Sequence, residues 1–147
     1  MPNTYYSDKV VLNTAGVNTI EPKYNASSSS PVIATFPLTA ALGINDIINM
    51  MDIPPNVWIM DWTIDTAQLD TGTPAITLAL GTAATPTMFV AVSTVGQAGG
   101  IVRATLAGTV GRTFAVTTRI QIKVIAGPGT GATTGNLVLF MNYTGDK

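Results

Sequence analysis

Thr113-Phe114-Ala115-Val116-Thr117-Thr118-Arg119-Ile120-Gln121-Ile122-Lys123-Val124 is the stretch whose reading decides the fold. Phe114, Val116, Thr118, Ile120, Ile122 and Val124 fall on one side of a period of two, and Thr113, Thr117, Arg119, Gln121 and Lys123 on the other. A helix would scatter these positions around its axis, whereas a strand sends alternate side chains to opposite faces. The pattern predicts a strand over residues 113–124 with its apolar face turned inward.

The same period recurs on both sides of this stretch. Residues 57–65 read as a half-buried strand, with Trp58, Met60, Trp62 and Ile64 on one face and Asp61, Thr63 and Asp65 on the other. Residues 32–38 form a further candidate, although Pro37 confines that position to an edge or a bulge. Residues 46–51 precede a Pro54-Pro55-Asn56 turn, residues 75–80 direct Ile76, Leu78 and Leu80 inward, and residues 101–106 add another strand. Residues 136–144 are apolar on both faces, which predicts a central strand or one covered by a partner. Thr85-Pro86 has the form of a helix N-cap followed by proline, so a short helix over 88–92 is expected, with a strand there as the alternative. Residues 96–100 and the glycine-rich 127–131 interrupt the pattern. The sum is an all-β chain: an antiparallel β-sandwich, jelly-roll-like, of seven or eight strands with at most one short helix.

Composition agrees. The 147 residues fit one domain. Charged residues make up 10% of the chain and hydrophobic ones 46%, against about 25% charged in ordinary soluble domains. Glutamate occurs once, at Glu21, while β-branched residues abound. Residues 1–30 differ from the rest: Val10-Val11-Leu12 is a short apolar run, and Ser27-Ser28-Ser29-Ser30 is linker-like. We expect an extended N-terminal arm over 1–30, with at most a short strand in it, and a β-sandwich domain over 31–147. Met1-Pro2-Asn3-Thr4-Tyr5-Tyr6 has no basic region followed by an apolar run, so no secretory signal is expected. No apolar stretch reaches the roughly 18 residues that span a bilayer, so no membrane partner is expected. The basic residues are scattered and the net charge is −1, which is no nucleic-acid footprint.

The chain has no histidine and no cysteine. Imidazole-assisted nucleophiles and thiolate metal sites are therefore excluded. Asp70-Thr71-Gly72 is the triplet of aspartic proteases, in which two carboxylates share a proton. Gln68 occupies the approach that an apolar strand takes in those enzymes, so a hairpin or Asx turn is the preferred reading. The loop from Gly127 to Gly135 has the glycine content of a phosphate loop but no Gly-Lys-Ser/Thr ending and no following helix; a connecting loop is preferred. Asp61, Asp65 and Asp70 could in principle supply oxygen ligands to calcium, but the first two lie about 13 Å apart along one strand, which favours a solvated sheet face. Trp58 and Trp62 could form a sugar-stacking platform, and Tyr5, Tyr6 or Tyr143 could stack on sugars from the surface; for the tryptophans core packing is preferred. The expected site content is no catalytic residue, no metal ligand and no cofactor.

Five stretches together resemble a known family. They are Ile44-Asn45-Asp46-Ile47-Ile48-Asn49-Met50-Met51-Asp52-Ile53-Pro54-Pro55-Asn56-Val57, the Asp65…Leu69-Asp70-Thr71-Gly72 turn, Leu80-Gly81-Thr82, Thr85-Pro86-Thr87-Met88-Phe89, and the closing Gly135-Asn136-Leu137-Val138-Leu139-Phe140-Met141-Asn142-Tyr143. Over residues 31–147 the chain resembles small structural proteins of tailed-bacteriophage virions, among them head decoration (cement) proteins. The resemblance implies a jelly-roll-like sandwich without enzymatic activity that binds the outer capsid surface and stabilises contacts between capsomers. It implies the major capsid protein as partner, location on the capsid exterior, and the host cytoplasm before assembly. A tail, neck or fibre-base component is the alternative, and a carbohydrate-binding sandwich a remoter one. Because so few charges would leave apolar patches on a lone sandwich, a homo-oligomer (trimer or dimer) is expected.

Overall fold

The computed structural model describes residues 1–8, 29–105 and 111–145. Its elements are β1 (Thr4–Tyr6), β2 (Ser29–Pro37), β3 (Ile47–Ile53), β4 (Val57–Thr66), β5 (Thr77–Thr82), β6 (Val90–Ser93), α1 (Val95–Ala98), β7 (Gly100–Arg103), β8 (Thr118–Ala126) and β9 (Asn136–Gly145). From β2 onward the pairing is that of a long hairpin bent back on itself: β2 pairs with β9, β3 with β8, β4 with β7 and β5 with β6, all antiparallel. Bending sends alternate pairs to two sheets, ordered β2-β9-β4-β7 and β1-β3-β8-β5-β6. This is the jelly-roll arrangement that the sequence predicted. β1 adds a further strand, paired parallel to β3.

The core lies between the sheets. Ile48, Ile53, Leu78, Leu80, Ile120, Ile122 and Val124 from one sheet meet Ile59, Trp62, Ile64, Leu137, Leu139, Met141 and Tyr143 from the other, all essentially without solvent contact. Burying one such side chain stabilises by roughly 1.5–3 kcal/mol, so this layer dominates the favourable terms. β9 occupies the middle of its sheet, as its two apolar faces predicted.

Three local expectations are corrected. The strand over 113–124 begins only at Thr118, and Val116 is 69% exposed. Its partner β3 ends at Ile53, opposite Thr118, and is followed by Pro54 and Pro55, which have no N–H to extend the ladder. Over 88–92 no helix forms: the Phe89 N–H donates to the Leu80 carbonyl (2.9 Å), Phe89 enters the core, and β6 begins at Val90. The one helical turn among the described residues is instead α1, inside the stretch read as a break. There Gly96 lies against Leu69 and Ile76, where a Cβ would come within 3.0 Å of the Leu69 side chain.

The third correction concerns β4. Its pairing with β9 shifts between Ile59 and Asp61, so Met60 is an extra residue. A one-residue bulge reverses which side chains point inward beyond it. Trp62 is therefore 1% exposed but Trp58 43%, and Ile59 takes the inward place ahead of the bulge. Trp58, Met60, Trp62 and Ile64 do not share a face.

Part of the expected arm is built into the sandwich. The Ile47 N–H donates to the Asn3 carbonyl (2.9 Å), the Ser7 N–H to the Asn49 carbonyl (2.7 Å), and the Ser7 hydroxyl to the Met50 carbonyl. The buried Asp46 carboxylate accepts from the Asn3 N–H (2.7 Å) and the Gly43 N–H (2.8 Å). The Tyr5 ring lies 5.4 Å from the Phe36 ring, linking the two sheets. Burial and the neighbouring Asp46 raise the Tyr5 hydroxyl pKa. Residues 9–28, which include the Val10-Val11-Leu12 run, lie outside the described residues.

Candidate assembly surface

The two outer faces of the sandwich differ in chemistry. On the five-stranded sheet, the cross-strand pairs Asn49–Gln121 and Asp52–Arg119 point outward. Gln121 Nε2 donates to Asn49 Oδ1 (2.6 Å), and the Arg119 guanidinium donates twice to Asp52, at 2.8 and 2.9 Å. Arg119 is partly exposed, so solvent screens the pair. Asp52→Ala should lower stability by about 1 kcal/mol or less, measured by urea unfolding; a loss several times larger would show the pair to be effectively buried.

The outer face of the four-stranded sheet carries exposed apolar side chains set among polar ones. Phe140 sits between Ile33 and Thr63, and Val138 between Thr35 and Asp65, with Ile101 beyond Asp65. Ile33 is 54% and Ile101 57% exposed, while Val138 and Phe140 are half-buried. The bulge brings Trp58 and Met60 to the end of the same face. The charged side chains among these positions are Asp61, Asp65 and Arg103. Exposed large apolar side chains gathered on one face, here Ile33, Trp58, Met60 and Ile101, make it the candidate interaction surface. Sequence reading missed it because the tryptophan parity was set by the bulge.

The residues singled out for chemistry have other roles. Asp70 is fully buried and its carboxylate accepts five backbone hydrogen bonds. Oδ1 accepts from the N–H groups of Gly72 (3.2 Å) and Thr130 (3.2 Å). Oδ2 accepts from Ala75 (2.8 Å), Ile76 (3.2 Å) and Gly129 (3.1 Å). The bond to Gly72 is that of an Asx turn. The glycine-rich loop is thus the partner of the Asp-Thr-Gly turn, and the Thr71 N–H donates to the Thr130 carbonyl (2.8 Å) across the junction. Burial opposes the Asp70 charge, and the N–H groups of Ala75, Gly129, Thr130 and Ile76 outweigh it, holding the pKa far below the usual carboxylate range. This saturated carboxylate fastens two loops.

Asp61 and Asp65 lie on the outer face of the four-stranded sheet, and the structure does not gather them with Asp70; among the described residues no three acidic groups are placed to share a metal ion. Tyr143 is core and cannot stack on a surface sugar, Tyr5 packs on Phe36, and Tyr6 is exposed. Among the described residues no helix is long and apolar enough to cross a membrane.

Scanning protein-family models gives no match, and neither does a search of curated proteins. Solved structures do match over nearly the whole chain. A chain in the capsid of Ralstonia phage GP4 is 28% identical with a TM-score of 0.83, over 98% of this chain and 99% of that one. These neighbours are bacteriophage capsid structures. A chain of the cyanophage Pam1 capsid asymmetric unit matches at TM-score 0.71 and 23% identity, over 88% of this chain and 95% of that one, and so shows the shared fold. A chain of the Helicobacter pylori bacteriophage KHP30 capsid matches at 0.57 and 12%, over 80% and 88%. The likeness to the Ralstonia phage GP4 chain supports a structural protein of a phage virion.

Proposed function

We propose that this protein decorates the outer surface of a phage capsid as a cement protein, binding the major capsid protein through the apolar face of its four-stranded sheet. The observation that carries the reading is the full-length likeness to a chain of the Ralstonia phage GP4 capsid. That chain has nearly this chain's length, so the capsid component in question is itself a small protein of this fold. The low charge and the apolar face are consistent with a surface meant to be covered. Binding summed over many copies, rather than one strong contact, then stabilises the shell.

The test is co-sedimentation and microscopy with capsids of the same phage that lack this protein. Ile33 and Ile101 are more than half exposed and lie on opposite edges of the face. The double variant Ile33→Asp, Ile101→Asp should fold normally and bind at least tenfold more weakly, since each buried isoleucine is worth about 1.5–3 kcal/mol. Undiminished binding would reject this face, and labelling confined to the tail or neck would reject the decoration role. Light scattering should show an oligomer in solution; a clean monomer would count against the homo-oligomer.

A further inference from the structure

Among the described residues the two sheets have four edges, and an open edge invites a further strand from another chain. Three are short: β1 has 3 residues, β6 has 4 and β7 has 4. β2, with 9 residues, is the long edge. It pairs with β9 without a register shift, so backbone N–H groups alternate strictly between β9 and the outside. The Leu38 N–H donates to the Gly135 carbonyl on the β9 side (2.8 Å), whereas the Thr35 N–H points away and donates to Asp8 Oδ1 (2.7 Å). Positions 31, 33, 35 and 37 therefore face outward. Position 31 is proline and position 37 is proline, neither with an N–H to offer, and Asp8 occupies the N–H of Thr35. Ile33 is the interior outward position whose N–H these devices leave in place.

We propose that the β2 edge is chemically closed to strand addition by Pro31, Pro37 and the Asp8–Thr35 bond, so that copies of this chain do not join edge to edge and other proteins meet it through faces or loops. The placement is specific: both prolines fall on outward positions, where they cost the β2–β9 ladder nothing. At positions 32, 34 or 36 a proline would break that ladder. The remaining block is supplied from residue 8 at the end of the built-in N-terminal segment, so closure of the edge depends on that segment being docked.

The experiment compares the wild type with the triple variant Asp8→Ala, Pro31→Thr, Pro37→Thr. Light scattering over a hundredfold range of concentration and amide hydrogen exchange are the readouts. Opening the edge should raise the mass of the variant with concentration beyond that of the wild type, and slow exchange at Ile33 and Thr35 at least tenfold in the associated form. A folded variant, with wild-type circular dichroism, that keeps the wild-type mass at every concentration would overturn the proposal. Should the triple variant not fold, Pro37→Thr at the end of the strand and the wild type itself still decide. Pro37→Thr should then show a smaller concentration-dependent rise in mass. Slowed Ile33 exchange in concentrated wild-type protein would show the edge already in use and refute closure. None of these readouts involves a capsid, so the result stands apart from the proposed function.

Discussion

Asp70→Asn should lower the thermal midpoint at pH 7 by on the order of 10 °C, one of the two largest single-residue effects expected in this protein. Oδ1 accepts two backbone N–H groups and Oδ2 three, in a site without solvent. An asparagine replaces one of these oxygens with an NH2 group. Whichever way the amide turns, at least two of the N–H groups that bond Asp70 then face another donor. Donors held against a donor lose their bonds, and the glycine-rich loop loses its attachment to the turn. The acid dependence has a definite sign. The folded pKa is depressed, so the unfolded chain binds the proton more readily, and the stabilisation is present above the ordinary carboxylate pKa of 3.8 and lost as pH falls toward the folded value. The difference between wild type and variant should therefore narrow from about pH 5 downward. Thermal unfolding followed by circular dichroism at several pH values checks both statements; a constant difference between pH 7 and pH 2 would contradict the assignment.

Gly81→Ala should cost about 3 kcal/mol, although it adds one methyl group. Gly81 lies in β5 where the 83–87 turn folds back over the strand: the Thr82 N–H donates to the Thr85 carbonyl (3.0 Å), and the Thr85 N–H to the Thr82 hydroxyl (3.1 Å). A Cβ at position 81 would stand 2.2 Å from the Thr85 carbonyl oxygen and 2.5 Å from the Pro86 carbonyl carbon. Both obstacles are backbone and cannot turn aside as a flexible side chain would. The turn must lift, and with it the start of β6, which pairs with Leu80 at Val90. Chemical denaturation should show the loss, and amide exchange should quicken at Thr85 and Phe89. A variant with wild-type stability would mean that this turn does not lie on the strand.

Much of the architecture could be read from residue order. The inward Leu78 and Leu80 of β5, the inward Ile120, Ile122 and Val124 of β8, the central place of β9, the edge place of β2 with its Pro37, and the turn at Asp70 all follow from alternation and turn chemistry. The surface offered to partners could not. Val57 and Ile59 are as apolar as Trp58 and Met60, so the first half of β4 has two candidate inward faces, and only the bulge against β9 selects one. The length of β8 was illegible for a related reason: residues 113–117 alternate well, but the β3–β8 ladder stops at Ile53 because Pro54 and Pro55 follow it. The contact between Asp70 and the N–H groups of Gly129 and Thr130 spans nearly sixty residues, and no spacing rule reports it.

By itself, then, the sequence determined the β class, the sandwich, and the absence of imidazole and thiol chemistry, because these depend on local periodicity and on which side chains exist at all. The tertiary structure alone decided which sheet face stays apolar, which edge is closed, and that Asp70 fastens two loops. Each of those depends on register and on neighbours distant in the chain, and a single extra residue such as Met60 inverts which side chains point inward.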